Sequence, residues 1–296
     1  MTILTRLRVY SDLVVLPHSV FALPFALSAL IFAARGEPGA IPVIITVGTI
    51  VLVVLAVVAA RTAAMAFNRL VDAVIDAKNP RTKERHIPSG QVAPRQVLVL
   101  VLSASGLFLA CSAALGWHCL VLAPFVLAIL LAYSFAKRFT AYAHVILGLA
   151  LALAPGGAWW VLRPQVQSTP LLLMAAVTVW VAGFDILYSC QDLEFDKQEG
   201  LHSIPARLGL RRALALSFIL HVAAAALLFA VGISMGLGLL YYAGVSVING
   251  ILLFQHRGIS ETDLSRINRA FFGFNGVVSL GYLALALLSM SLLSIA

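Results

Sequence analysis

Residues 41–66, IPVIITVGTIVLVVLAVVAARTAAMA, run apolar far enough to cross a bilayer, and residues 67–76, FNRLVDAVID, carry the helical pattern on into carboxylates. A spanning helix needs about 20 mostly apolar residues to cross a hydrocarbon core about 30 Å thick. On a helix, Asn68, Asp72 and Asp76 are spaced i, i+4, i+8 and lie along one face. An apolar span that ends in a row of carboxylates sets the class of fold. It also marks where chemistry is to be sought, at the end of a span.

Working outward, the chain offers nine such spans, at about 16–34, 41–66, 96–115, 119–136, 142–162, 170–190, 211–233, 236–255 and 270–293. The second and sixth do not stop cleanly but run into charged sequence. Hydrophobic side chains make up 61% of the 296 residues and charged ones 11%, with a mean hydropathy of +1.01. Globular domains are nearer 45–50% apolar and 25% charged. A large soluble domain is excluded, since no polar stretch exceeds a loop. The absence of low-complexity tracts excludes disorder, and continuous apolar runs exclude a β-barrel. The expected fold is all-α, a polytopic membrane protein of about nine transmembrane helices, with 1–296 as a single domain. Cys111, Cys119 and Cys190 show no metal-ligand spacing and read as small apolar filler. Arg6 and Arg8 before an apolar run mimic a signal peptide, but Pro17 and Pro24 interrupt that run and a retained first helix is expected.

The net charge of +8 sits in loops. With the N-terminus, the loops after even-numbered spans and the helix ends beside them placed on one side, that side collects eighteen of the twenty Lys and Arg residues; only Arg35 and Arg163 fall opposite. By the positive-inside rule the N-terminus is cytoplasmic, in a bacterial-type inner membrane. The basic loops carry no stacked aromatic pattern, so no nucleic-acid partner is expected.

Of twelve acidic residues, eight lie in two segments on that cytoplasmic side: Asp72, Asp76 and Glu84, then Asp185, Asp192, Glu194, Asp196 and Glu199. Carboxylates crowded at membrane helix ends repel one another and ask for a cation or a function. At about 100° per residue, 185, 192 and 196 fall on one face, after which Gly200 ends the helix and Pro205 lies in the loop beyond. Mg2+ typically takes one or two carboxylates and fills its shell with water and phosphate oxygens. Two carboxylate faces, with Arg81, Arg85, Lys137 and Arg138 near them in topology, suit a Mg2+-bridged diphosphate.

These motifs resemble those of the UbiA superfamily of intramembrane aromatic prenyltransferases. Its first motif, NDxxDxxxD, is matched by Asn68, Asp72 and Asp76. Its second, DxxxD in a context like DxxGDxxxGxxTLP, is matched by Asp192, Asp196, Gly200 and Ser203-Ile204-Pro205. Further matches are Phe21-Ala22-Leu23-Pro24-Phe25, Arg81-Thr82, Arg85-His86-Ile87-Pro88-Ser89-Gly90, Tyr133-Ser134 and Lys137-Arg138-Phe139-Thr140. The resemblance implies helices around an intramembrane cavity, Mg2+ as cofactor, and transfer of a polyprenyl group from a polyprenyl diphosphate to an aromatic acid. Arg69 departs from the pattern, standing where the commonest motif has its first Asp. The variant with Tyr188-Ser189-Cys190-Gln191-Asp192 is similar to the branch making menaquinone through futalosine, which implies a naphthoate derivative as acceptor. The alternative acceptor is 4-hydroxybenzoate, as in ubiquinone synthesis.

The resemblance assigns Asp72, Asp76, Asp192 and Asp196 to the metal–diphosphate, with Asn68 assisting. It makes Arg81, Arg85, Lys137 and Arg138 diphosphate cations, Lys137 ahead of Arg138; positive-inside anchoring is the other reading of all four. Arg61, two turns before Asn68 on the same face, would meet the acceptor carboxylate or pair structurally with Asp185. Tyr133 and Tyr188 would turn ring faces to an allylic cation, or serve as interfacial aromatics. His18, His144 and Asn275 read as satisfied polar groups in helix packing. Gly148, Gly156 and Gly157 would permit close helix contact, with Pro155 opening a kink. The rival from another class is a secondary transporter for an anionic solute, which an inverted repeat would support; none is evident. A CDP-alcohol phosphotransferase is disfavoured because Asp76 is followed by Ala77-Lys78 rather than its DGxxAR signature.

Overall fold

The computed structural model describes residues 9–14, 21–267 and 273–293, so His18 and the topological arginines Arg6, Arg8 and Arg269 lie outside the described residues. Those described are mostly helical and contain no β-strand. In chain order the helices are α1 Leu23–Arg35, α2 Val47–Val71, α3 Ala73–Lys78, α4 Pro94–Leu115, α5 Trp117–Ala132, α6 Ala143–Leu162, α7 Ser168–Ser189, α8 Leu193–Gln198, α9 Ile204–Leu208, α10 Leu210–Ser234, α11 Leu239–Phe254 and α12 Asn275–Leu293. Short 3-10 segments, Tyr133–Arg138 and Cys190–Asp192, prolong α5 and α7.

Six helical stretches are long and apolar enough to cross a membrane: Val47–Val71, Pro94–Leu115, Trp117–Arg138, Ala143–Leu162, Ser168–Gln198 and Leu210–Ser234. They correspond to the second to seventh expected spans. The expected nine are not reached on length among the described residues. The first span is represented by α1, of 13 residues, and the eighth by α11, of 16. At about 1.5 Å per residue, 13 residues reach only about 20 Å. The eighth is shortened because Gly236, at φ 61°, turns the chain before Gly238 caps α11, a break that hydropathy does not register. The ninth, like the first, runs into residues outside those described.

The chain divides into two compact units, Met1–Ser19 with Val51–Phe135, and Val20–Ile50 with Ala136–Ala296. In the first, Ala66 of α2 and Val97 and Val101 of α4 close a core with Leu13, Val14 and Val92. Pro94 opens α4, where its missing N–H costs nothing, and Gln96 Oε1 accepts the Ala93 N–H at 3.0 Å. In the second unit α7 is the centre, packed against α6 and α10. Of its apolar window 61% is buried, against 22–39% in the other five. Small residues make this possible, since in a bilayer close backbone approach replaces the hydrophobic drive. A Cβ on Gly148 would collide with the Thr178 carbonyl of α7, and one on Gly156 would meet Met174 Sδ at 2.5 Å. Gly157 faces open space, so only two of the three expected glycines act in packing. Asn275 accepts the Trp180 indole N–H at 3.0 Å, a satisfied buried group as expected.

Candidate functional site

The first acidic segment lies in the first unit. Backbone hydrogen bonds run Asp72 N–H to Asn68 O (2.9 Å) and Asp76 N–H to Asp72 O (2.7 Å), so the expected i, i+4, i+8 ladder is present. The helix is nonetheless interrupted at Asp72, whose φ −89° and ψ 2° fall in the sparsely populated bridge region. Asn68 Nδ2 donates to Asp72 Oδ2 at 2.9 Å, joining the amide to the first carboxylate. Asp76, only 6% exposed, is met by Arg85, whose Nη1 donates to Oδ1 at 2.7 Å and Oδ2 at 2.9 Å. The turns after α3 make this possible. Thr82 Oγ1 donates to Asp76 O at 3.0 Å and Asn79 Oδ1 accepts the Arg81 N–H at 2.9 Å, folding the basic loop back.

The sequence sends Asp76 to a metal and Arg85 to a diphosphate; the fold pairs them with each other. Arg69 donates through Nε to the Leu13 carbonyl at 3.4 Å and lines a small niche with Asp76, Arg85 and His86. The residue that replaces the usual acid therefore anchors the chain's early segment. His86 titrates below the ordinary imidazole value. Burial is the main cause, with Asp12 raising and Arg69 lowering it. Arg81 is exposed. Arg61 Nε is buried without a hydrogen-bond partner, and Tyr133 is the group that acts on it electrostatically.

The second segment lies in the second unit and is built differently. Asp185 on α7 accepts a 2.6 Å hydrogen bond from the His144 Nδ1 of α6. Past the Cys190–Asp192 segment, α8 carries Asp196 inward. Asp192 is 7% and Asp196 2% exposed, while Glu194 and Lys197 of the same helix face outward. Gly200, at φ 66°, ends α8: Leu201 N–H bonds to Asp196 O at 2.8 Å and Gly200 N–H to Lys197 O at 3.4 Å. Those two bonds form a Schellman cap, which needs a residue that tolerates positive φ. Asp192, Lys137, His144 and the Ser203 side chain all act on the Asp196 carboxylate. Its Oδ2 is buried without a hydrogen-bond partner. Lys137 and Asp192 also act on Asp185. Arg138 is half-buried at the end of its 3-10 segment. Tyr188, also half-buried, packs against the cluster of Ile186, Cys190 and Ile204.

Among the described residues no three carboxylate, imidazole or thiol groups converge to hold a metal by themselves. An Asp192–Asp196 pair with an unsatisfied oxygen still fits a hard divalent cation that keeps water and phosphate oxygens in its shell. His144 and Ser203 are the residues sequence reasoning undervalued. Ser203 stood in a recognised motif. Nothing in the spacing, however, ties His144 to Asp185, 41 residues away.

These features define a helical membrane protein with two acidic, cation-associated helix ends. A model of the UbiA prenyltransferase family matches residues 22–292. The chain belongs to this family and is a prenyltransferase, which removes the transporter reading. It is 31% identical over 291 residues to a 4-hydroxybenzoate octaprenyltransferase of Thiobacillus denitrificans, covering 94% of this chain and 96% of that one. Among solved structures, the apo UbiA homologue of Aeropyrum pernix K1 superposes with a TM-score of 0.78 at 31% identity, covering 94% of this chain and 98% of that one. A UbiA homologue of Archaeoglobus fulgidus bound to DMAPP and Mg2+ shares the fold, with a TM-score of 0.68 at 22% identity, covering 95% and 99%. The names of the curated relatives favour 4-hydroxybenzoate over the naphthoate acceptor expected from the sequence.

Proposed function

We propose that this protein transfers a polyprenyl group from an allylic polyprenyl diphosphate to 4-hydroxybenzoate, with Mg2+ as cofactor. In this reaction the allylic C–O bond breaks and diphosphate leaves. A C–C bond forms between the prenyl C1 and a ring carbon, and that carbon's proton is lost. Family membership and the names of the relatives support the reaction class and the acceptor. The observation that carries the site is the buried Asp192–Asp196 pair, beside Lys137, with one Asp196 oxygen left unsatisfied.

Asp72, Asp76, Asp192 and Asp196, with Asn68 assisting, are read as the residues that would hold Mg2+–diphosphate. Bound Mg2+ would supply charge neutralisation for the leaving diphosphate. Lys137, Arg138, Arg81 and Arg85 add fixed positive charge where negative charge develops, the form of stabilisation that lowers such barriers most. Arg61, buried with an unsatisfied Nε, is suited to the acceptor's carboxylate. Tyr133 and Tyr188 can turn ring faces to the developing allylic cation. Apolar helices exclude water that would otherwise quench that cation. We further read 1–296 as one prenyltransferase domain in a bacterial inner membrane, N-terminus and acidic segments on the cytoplasmic side, supported by the loop charges.

The test is a membrane-reconstituted assay with Mg2+ and a polyprenyl diphosphate, offering 4-hydroxybenzoate and 1,4-dihydroxy-6-naphthoate in separate reactions. The expected result is prenylated 4-hydroxybenzoate, lost in both Asp72→Ala and Asp192→Ala. Product from the naphthoate alone would overturn the acceptor, and neither product nor released diphosphate from folded protein would overturn the reaction.

A further inference from the structure

Three consecutive residues after α8 are each tied to the same region of the second unit. The His202 N–H donates to Lys137 O at 2.8 Å. Ser203 acts on Asp196 through its side chain. The Ile204 N–H donates to His144 Nε2 at 3.3 Å. A backbone N–H can only donate, so Nε2 must carry the lone pair and the ring proton sits on Nδ1. That proton is donated to Asp185 Oδ2 at 2.6 Å.

One neutral imidazole, with no exposed surface, thus bridges α6 to α7 and to the segment that presents Ser203. A histidine serving only helix packing would spend its nitrogens on neighbouring carbonyls. Here one bond goes to the Asp185 carboxylate, on which Lys137 and Asp192 also act. The other goes to the backbone beside the Ser203 that acts on Asp196.

We infer that His144 is a positioning residue for diphosphate binding, holding Asp192, Asp196 and Lys137 in register without touching substrate. The inference rests on the reading of this pair as the metal–diphosphate carboxylates. Groups that orient metal-binding carboxylates typically contribute about 10–100-fold to metal affinity or activity.

Two near-isosteric variants separate the two bonds. His144→Asn keeps an N–H near Nδ1 for Asp185 and loses the acceptor for Ile204; His144→Gln keeps an acceptor near Nε2 and loses the donor to Asp185. Each, with His144→Ala, is compared with wild type in the full-length reconstituted protein. The readouts are Mg2+-dependent binding of farnesyl thiodiphosphate, the KM values of both substrates, and amide hydrogen exchange at Ile204 without ligand. Binding is expected to weaken about 10–100-fold in His144→Ala and by less in the other two. The 4-hydroxybenzoate KM should hold, and Ile204 should lose protection in His144→Asn but not in His144→Gln. Unchanged binding in all three variants would overturn the inference, as would a loss that only follows the fraction of folded protein. A folded wild type that fails to bind the probe would instead overturn the functional reading itself.

Discussion

The two acidic segments carry the same spacing, Asp72 to Asp76 and Asp192 to Asp196, yet the fold finishes them in opposite ways. In the first, the chain supplies its own counter-charge. Arg85 returns nine residues later to cover both oxygens of Asp76, and the helix breaks at Asp72. In the second, the helix is capped cleanly at Gly200 and the carboxylates are buried together, with Asp196 Oδ2 unsatisfied. A buried acceptor without a donor costs about 1–3 kcal/mol, more when charged. Spacing therefore identifies the carboxylates, whereas their partners decide which is ready for a cation. At the first segment Asn68 already bonds Asp72 and Arg85 already covers Asp76. At the second, Asp196 Oδ2 stands buried without a hydrogen-bond donor.

The largest expected effect tests that readiness. Asp196→Asn should lower transfer at least about 10²–10³-fold, the usual consequence of losing a group that stabilises developing charge. Its melting temperature should hold or rise, because a neutral amide removes a buried charge whose Oδ2 has no hydrogen-bond donor. A melting temperature that fell in step with activity would place Asp196 among the merely structural groups. Next comes the closed segment. Breaking a fully buried ion pair costs about 3–5 kcal/mol. Arg85 is 27% exposed, so solvent screening reduces the expected loss in Arg85→Ala to about 1–3 kcal/mol. The double variant Asp76→Asn/Arg85→Ala should recover much of it, which thermal unfolding in detergent can read as a double-mutant cycle. Single-variant losses that simply add in the double variant would show that the pair does not hold this loop.

Much of this was legible in the sequence. The apolar runs gave six long helices, and the i, i+4, i+8 carboxylates, the Gly200 stop and the inward face at 192 and 196 all follow from helical periodicity. What periodicity cannot carry is where the chain turns or which partner a side chain takes from far along it. Gly236 shortened a span that hydropathy left whole. Arg69 found the Leu13 carbonyl, 56 residues away. His144 found Asp185, which had been offered Arg61 as its structural partner. Arg85 and Asp76 were both recognised, but as members of a site rather than of each other. On the acceptor, a local variant pointed to naphthoate with 4-hydroxybenzoate as the alternative, and the names of relatives matched over most of the chain favour that alternative.

Smaller effects sharpen the contrast between the segments. His86 belongs to the loop that closes the first one, and burial holds its pKa below 6.5, Asp12 opposing and Arg69 reinforcing the shift. A histidine depressed in the folded state gives stability that is complete above its unfolded pKa and is lost as pH falls through the folded value. Wild-type protein should therefore lose melting temperature between about pH 7.5 and about pH 5.5 by more than His86→Gln does. Parallel pH curves would remove His86 from the account.

The smallest effect lies on the second segment's own helix. Glu194 and Lys197 approach to 3.7 Å with side-chain exposures of 77% and 50%, flanking the buried Asp196 on the outer side of α8. An exposed pair of this kind is worth about 0–1 kcal/mol. Glu194→Ala should leave both melting temperature and transfer where they were. Were it to lower transfer as Asp196→Asn does, acidity of the whole helix would be what matters, and burial would no longer separate the carboxylate that binds from the one that only faces water.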